Sequence, residues 1–108
     1  MSVTFRIEGM SGEHDPYLNV ANGNFGLIRR MLGKVMEWDY CGDIAADEML
    51  HLVRSARVVT RNQYAKRVLD GATFISCGCP AEQSLRYLYT LERLGEIALN
   101  CARRIVWH

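Results

Sequence analysis

The sequence predicts an α+β protein, with three or four helices packed against a small sheet that joins the N- and C-terminal strands. Three observations carry this. Val3 to Glu8 (VTFRIE) alternates apolar and polar residues and is rich in β-branched and aromatic side chains, the pattern of a half-buried strand. Ile105 to His108 (IVWH) has the same character at the other end of the chain. Between them lie stretches whose apolar residues recur at spacings of three and four, the period of a helix with one buried face.

Taken in order, Val3, Phe5 and Ile7 share one strand face. GMSGEHDP then supplies glycines, a proline and small polar residues, which mark a loop. Tyr17, Leu18 and Val20 form a short extended segment. LNVANGNFGLIRRMLG (Leu18 to Gly33) carries Asn19, Asn22 and Asn24 ahead of a helical run through Phe25, Leu27, Ile28, Met31 and Leu32. Asn accepts hydrogen bonds from the orphan amides of a first helical turn, so Asn22 or Asn24 is the expected N-cap. Gly33 sits where a left-handed C-cap is wanted. The same three asparagines also offer a polar contact loop.

KVMEWDYCGD reads as a connection with Val35, Met36, Trp38 and Tyr40 tucked beneath it, broken at Gly42. A second helix is expected to start near Ala45 or Ala46, with Asp47 and Glu48 in the first turn, where the helix dipole favours acids. Met49, Leu52, Val53, Ala56 and Val59 make its buried stripe, and Asn62 to Leu69 either continues it or forms a separate short helix. Residues 70–80 (DGATFISCGCP) are turn-rich. Ala81 to Arg104 is a long helix. Its stripe of Leu88, Leu91, Gly95, Ala98 and Ala102, widened by Leu94, Ile97 and Cys101, narrows toward small residues, which implies a close approach to another helix or to the sheet.

With 108 residues, the chain has the length of one domain. No apolar run reaches the roughly 20 residues that cross a bilayer, and the N-terminus lacks a basic-then-apolar signal pattern, so a cytoplasmic protein is expected. The four cysteines then read as free thiols. The net charge of +1 conceals an asymmetry: residues 1–50 hold four basic and eight acidic side chains, residues 51–108 nine basic and four acidic. Such a split suits two faces that attract one another, or one basic face offered to an anionic partner.

One resemblance covers most of the chain. The order is a strand, N-x-x-N-x-N (Asn19, Asn22, Asn24) into a helix ending Leu32-Gly33, then W-x-Y-x-G (Trp38, Tyr40, Gly42). G-x-P (Gly78, Pro80) follows before a long Leu-rich helix, and the chain closes on Ile105-Val106-Trp107. This pattern resembles a group of small uncharacterised proteins found in bacteria and their phages. There the loop before the last helix reads G-R-P followed by a Tyr, and the chain ends near V-W-G. Here Cys79 stands at the arginine, Gln83 follows, and His108 is last. The resemblance implies a fold and a setting, that of a phage or mobile-element accessory protein blocking a host defence system. It implies no catalytic activity.

Enzyme signatures are poor. Cys77-Gly78-Cys79 with Cys41, Cys101 and a histidine has ligand types suited to zinc, but C-x-C is tighter than the usual C-x-x-C and no second ligand pair exists. His14, His51 and His108 are scattered, no Cys–His signature is present, and Asp39, Asp43, Asp47 and Glu48 read as helix-start acids. Phosphate-loop and dinucleotide fingerprints are missing from the sequence. No cofactor or metal is expected.

Two surfaces remain. Arg54, Arg57 and Arg61 lie at i, i+3 and i+7 on one helix face, with Lys66 and Arg67 beyond, and guanidinium forks suit phosphate or carboxylate. The near-neutral charge balance argues against a general nucleic-acid binder. On the last helix, Leu85, Tyr89 and Leu99 lie off the core stripe, with Glu92 and Glu96 between them. A helix apolar on more than one side is either central or at an interface; on the second reading a homodimer is expected, its acids pairing with the arginines of another copy. The sequence thus points to a non-enzymatic binding module working through protein contacts. The alternative is a binder of an anionic small ligand, such as a nucleotide, on the arginine face.

Overall fold

The structure, a computed structural model, describes residues 2–69 and 81–108, and of residues 63–69 and 81 the backbone alone. Among the described residues it is α+β, with three helices and a four-stranded antiparallel sheet. The elements run β1 (Ser2–Ile7), β2 (Tyr17–Ala21), α1 (Asn22–Leu32), β3 (Gly42–Ile44), α2 (Ala46–Leu69), α3 (Ala81–Asn100) and β4 (Ile105–Trp107). The sheet order is β2-β1-β4-β3. The two terminal strands are its central pair, with Phe5 opposite Trp107 and Ile7 opposite Ile105.

Alternation in the strands decides the layering. Val3, Phe5, Ile7, Val20, Ile105 and Trp107 are buried under the helices, while Thr4, Arg6, Tyr17 and Asn19 stand on the opposite face. α1 and α3 pack on the sheet, and α2 packs chiefly on α3. Phe5 is the hub, its ring in contact with Phe25, Trp38 and Trp107.

β3 falls within the stretch read from sequence as a broken connection. Gly42 pairs with Trp107, and a Cβ there would lie 2.7 Å from the indole. The glycine therefore leaves room for the ring against the strand, where it packs tilted on Trp38 with ring centres 4.4 Å apart and donates its Nε1–H to the Asp39 carbonyl at 2.8 Å. Of the four connection residues expected beneath the loop, only Trp38 is buried; Val35, Met36 and Tyr40 are exposed, Met36 by 93%. The loop is held instead by Arg29, which donates to the Trp38 carbonyl and whose guanidinium lies against the rings of both Phe25 and Tyr40.

The helix boundaries also depart from the sequence reading. β2 runs straight into α1, so the N-cap falls on Ala21, which has no side-chain cap bond; Asn22 is already helical and Asn24 is not a cap. The C-cap at Gly33 is as expected, left-handed at φ 70°. α2 continues through Asn62 as one helix to Leu69. α3 stops at Asn100 rather than Arg104, closed by Ala102 N–H to the Leu99 carbonyl and Arg103 N–H to the Ala98 carbonyl, with Ala102 at φ 55°. Cys101 and Ala102 are consequently exposed, not core. The expected close approach is real: Gly95 is where α3 meets Leu50 of α2. Pro80, Gly78, Cys77, Cys79 and the turn-rich 70–80 segment lie outside the described residues. No described helix is long and apolar enough to cross a membrane.

Candidate functional site

The arginine face borders α3, with Arg54 and Arg61 exposed and Arg57 half-buried. Arg54 Nε donates to Glu92 Oε2 at 3.0 Å, Arg57 Nη1 donates to Glu92 Oε1, and Arg61 Nη2 donates to the Tyr89 hydroxyl. The Arg57 guanidinium also lies 4.7 Å from the Tyr89 ring centre. α2 and α3 run antiparallel, so residues one turn apart on each meet in sequence along the seam. The pairs expected between copies are therefore made within one chain. Arg67 lies in the α2 backbone, and its side chain is outside the described residues. Of the α3 residues read as an interface, Tyr89 and Leu99 are exposed and Leu85 is half-buried.

The three asparagines do not form one loop. Asn19 is in β2 and donates across the outer sheet face to the hydroxyls of Ser2 and Thr4. Asn22 opens α1. Asn24 donates to the Tyr87 hydroxyl at 2.9 Å, a buried tyrosine that Gln83 also reaches.

A groove that the sequence reading did not separate from the core lies between the last turn of α1 and the middle of α2, enclosing about 520 Å³. Its apolar surface comes from Met31, Leu52 and Val59, and its polar edge from Arg30, His51, Ser55 and Thr60. It exists because α1 is 11 residues long and Gly33 turns the chain away, while α2 runs for 24. Leu52 is therefore only half-buried and Val59 is 55% exposed, although both fall on the helical stripe read as core. The volume lies within the range of about 300–1,000 Å³ typical of ligand clefts. Arg30 has no ion-pair partner among the described residues. A signal was present in the sequence: α1's period ends at Gly33, too early to cover a helix that continues to Leu69.

The remaining candidates stay apart. Cys41 and Cys101 are exposed thiols, and no group of three His, Cys, Asp or Glu among the described residues is placed to hold a metal ion. Asp43 pairs with Arg104 at 2.6 Å, and Asp47 accepts the Glu48 N–H at the start of α2. Comparison with protein-family models, with curated proteins and with solved structures finds no match for this chain.

Proposed function

We propose that this chain is a non-enzymatic interaction module whose α1–α2 groove receives the apolar side chains of a protein partner that carries acidic residues beside them. The observation that carries this reading is the groove itself, where an apolar strip of Met31, Leu52 and Val59 lies beside the exposed His51 and beside Arg30, which has no ion-pair partner among the described residues. Apolar contact supplies affinity there, and Arg30 selects for negative charge on the partner. The rival, capture of a nucleotide on the arginine face, is weakened by the engagement of Arg54 and Arg57 with Glu92. Partner binding in the setting of a phage or mobile-element accessory protein, inhibiting a host defence system, is the biological role we propose on the resemblance described above.

The test is selection of random displayed peptides on the immobilised protein. Enriched peptides should carry large apolar residues at helical spacing with Asp or Glu alongside, and should fail to bind Val59→Arg protein of unchanged circular dichroism. Peptides indifferent to Val59→Arg would refute the site. Nucleotide binding abolished by Arg54→Ala would favour the rival.

A further inference from the structure

We propose that the outer edge of β2 pairs antiparallel with the same edge of a second copy, joining two four-stranded sheets into one. The register inside the sheet shows which groups are open. Thr4 exchanges hydrogen bonds in both directions with His108, the residue after β4, at 2.8 and 3.2 Å. Strand amides alternate in direction, so Val3 and Phe5 address β2, where they pair with Val20 and Leu18. The main-chain groups of Tyr17 and Asn19, and the N–H of Ala21, therefore point away from the sheet, and none has a backbone partner among the described residues.

Within the strand itself this edge lacks the usual protections, the nearest being Pro16 just before it. It contains no proline, no charge and no bulge from Tyr17 to Ala21. The other edge differs: β3 is three residues long and carries Asp43, which is paired with Arg104. The bonds from Asn19 to Ser2 and Thr4 draw its side chain back over β1, leaving the β2 edge clear.

The occupant is a second copy because the strand is complementary to itself. With the two-fold axis at Asn19, the register sets Tyr17 opposite Ala21, Leu18 opposite Val20, and Asn19 opposite Asn19. The outward-pointing rungs at 17, 19 and 21 then fall on one another, and a large residue meets a small one at each end. Leu18, still half-open in one chain, meets Val20 of the other. Charge complements the pairing as well. Pairing also brings the turn before β2, where the Asp15 carboxylate accepts the Gly12 N–H, toward the first turn of the other's α1, whose N-terminus has no side-chain cap and no acid of its own.

The experiment is sedimentation of wild-type, Asn19→Lys and Asn19→Asp proteins, alone and mixed. Like charges placed directly opposite at the axis oppose pairing, and opposite charges favour it. Wild type should show a concentration-dependent dimer. Each variant alone should dissociate at least about tenfold more readily, and an equimolar mixture should recover the dimer. Hydrogen exchange on the wild type needs no variant: the Tyr17 and Asn19 amides should slow as protein concentration rises. A protein that stays monomeric to its solubility limit would overturn the proposal. So would a dimer indifferent to Asn19→Lys but lost in Tyr89→Glu, or edge amides whose exchange ignores concentration.

Discussion

Gly95→Ala adds a single methyl group at the crossing of α2 and α3. A Cβ at this position lies 2.9 Å from both Cγ and Cδ2 of Leu50 and 3.6 Å from the Ala46 carbonyl oxygen. Non-bonded carbons settle at about 3.5–4.0 Å, so either the helices part by a good fraction of an ångström or Leu50 leaves its rotamer. Overpacking of this kind costs about 1–3 kcal/mol. Helix propensity acts the other way, since alanine in a helix interior is favoured over glycine by about 0.8–1.0 kcal/mol. The balance is a loss of about 1 kcal/mol, which for a domain of this size lowers Tm by about 4–8 °C. Gly26→Ala in α1 is the control: a Cβ there meets nothing within 4 Å, so only the propensity gain remains. It should stabilise by about 0.5–1 kcal/mol. Urea unfolding followed by circular dichroism measures both, and Leu50→Ala should reduce the penalty of Gly95→Ala in a double-mutant cycle. If Gly95→Ala stabilises as much as Gly26→Ala, the packing of the helices argued here is wrong.

Ala102→Gly should stabilise by about 1 kcal/mol, because a left-handed residue prefers to lack a Cβ; in an uninterrupted helix to Arg104 the same change would destabilise, so the sign of the shift in urea midpoint tests the end of α3. Ala21→Ser should supply the absent N-cap of α1 and raise stability by about 1 kcal/mol in dilute protein, read by thermal unfolding. Asn24→Ala should cost about 1 kcal/mol through the lost bond to Tyr87, and Tyr87→Phe should make the second substitution nearly silent in a cycle, which a capping role would not. Glu92→Ala should lower stability by about 1–2 kcal/mol without changing sedimentation, since its arginine partners are in the same chain.

How far the sequence could be read depended on whether a pattern was local. Val3, Phe5 and Ile7 announced a strand, and Ile105 with Trp107 its partner, because alternation needs no knowledge of the rest of the fold. Gly33 was legible as a cap for the same reason. The β3 strand was hidden, since Gly42 signals a break until one knows that an indole must lie over it. The groove was legible only in part: Gly33 marks where α1 ends, but Leu52 and Val59 have core spacing, and only the packing of α1 on α2 decides that α1 leaves them uncovered.

The sequence by itself determined the fold class, the terminal strand pairing, the starts of α2 and α3, and most of the core, including Leu88, Leu91 and Ala98. These follow from periodicity, which fixes which side of an element is apolar. Tertiary structure alone decided where charged and polar side chains end. Arg54, Arg57 and Arg61 share a helix face in any fold, but whether that face meets solvent, another copy or α3 depends on how the helices cross. Here Gly95 draws α2 and α3 so close that Glu92 and Tyr89 come within reach of the arginines. Helical periodicity gives the direction of a side chain around its own axis; only packing supplies what stands opposite.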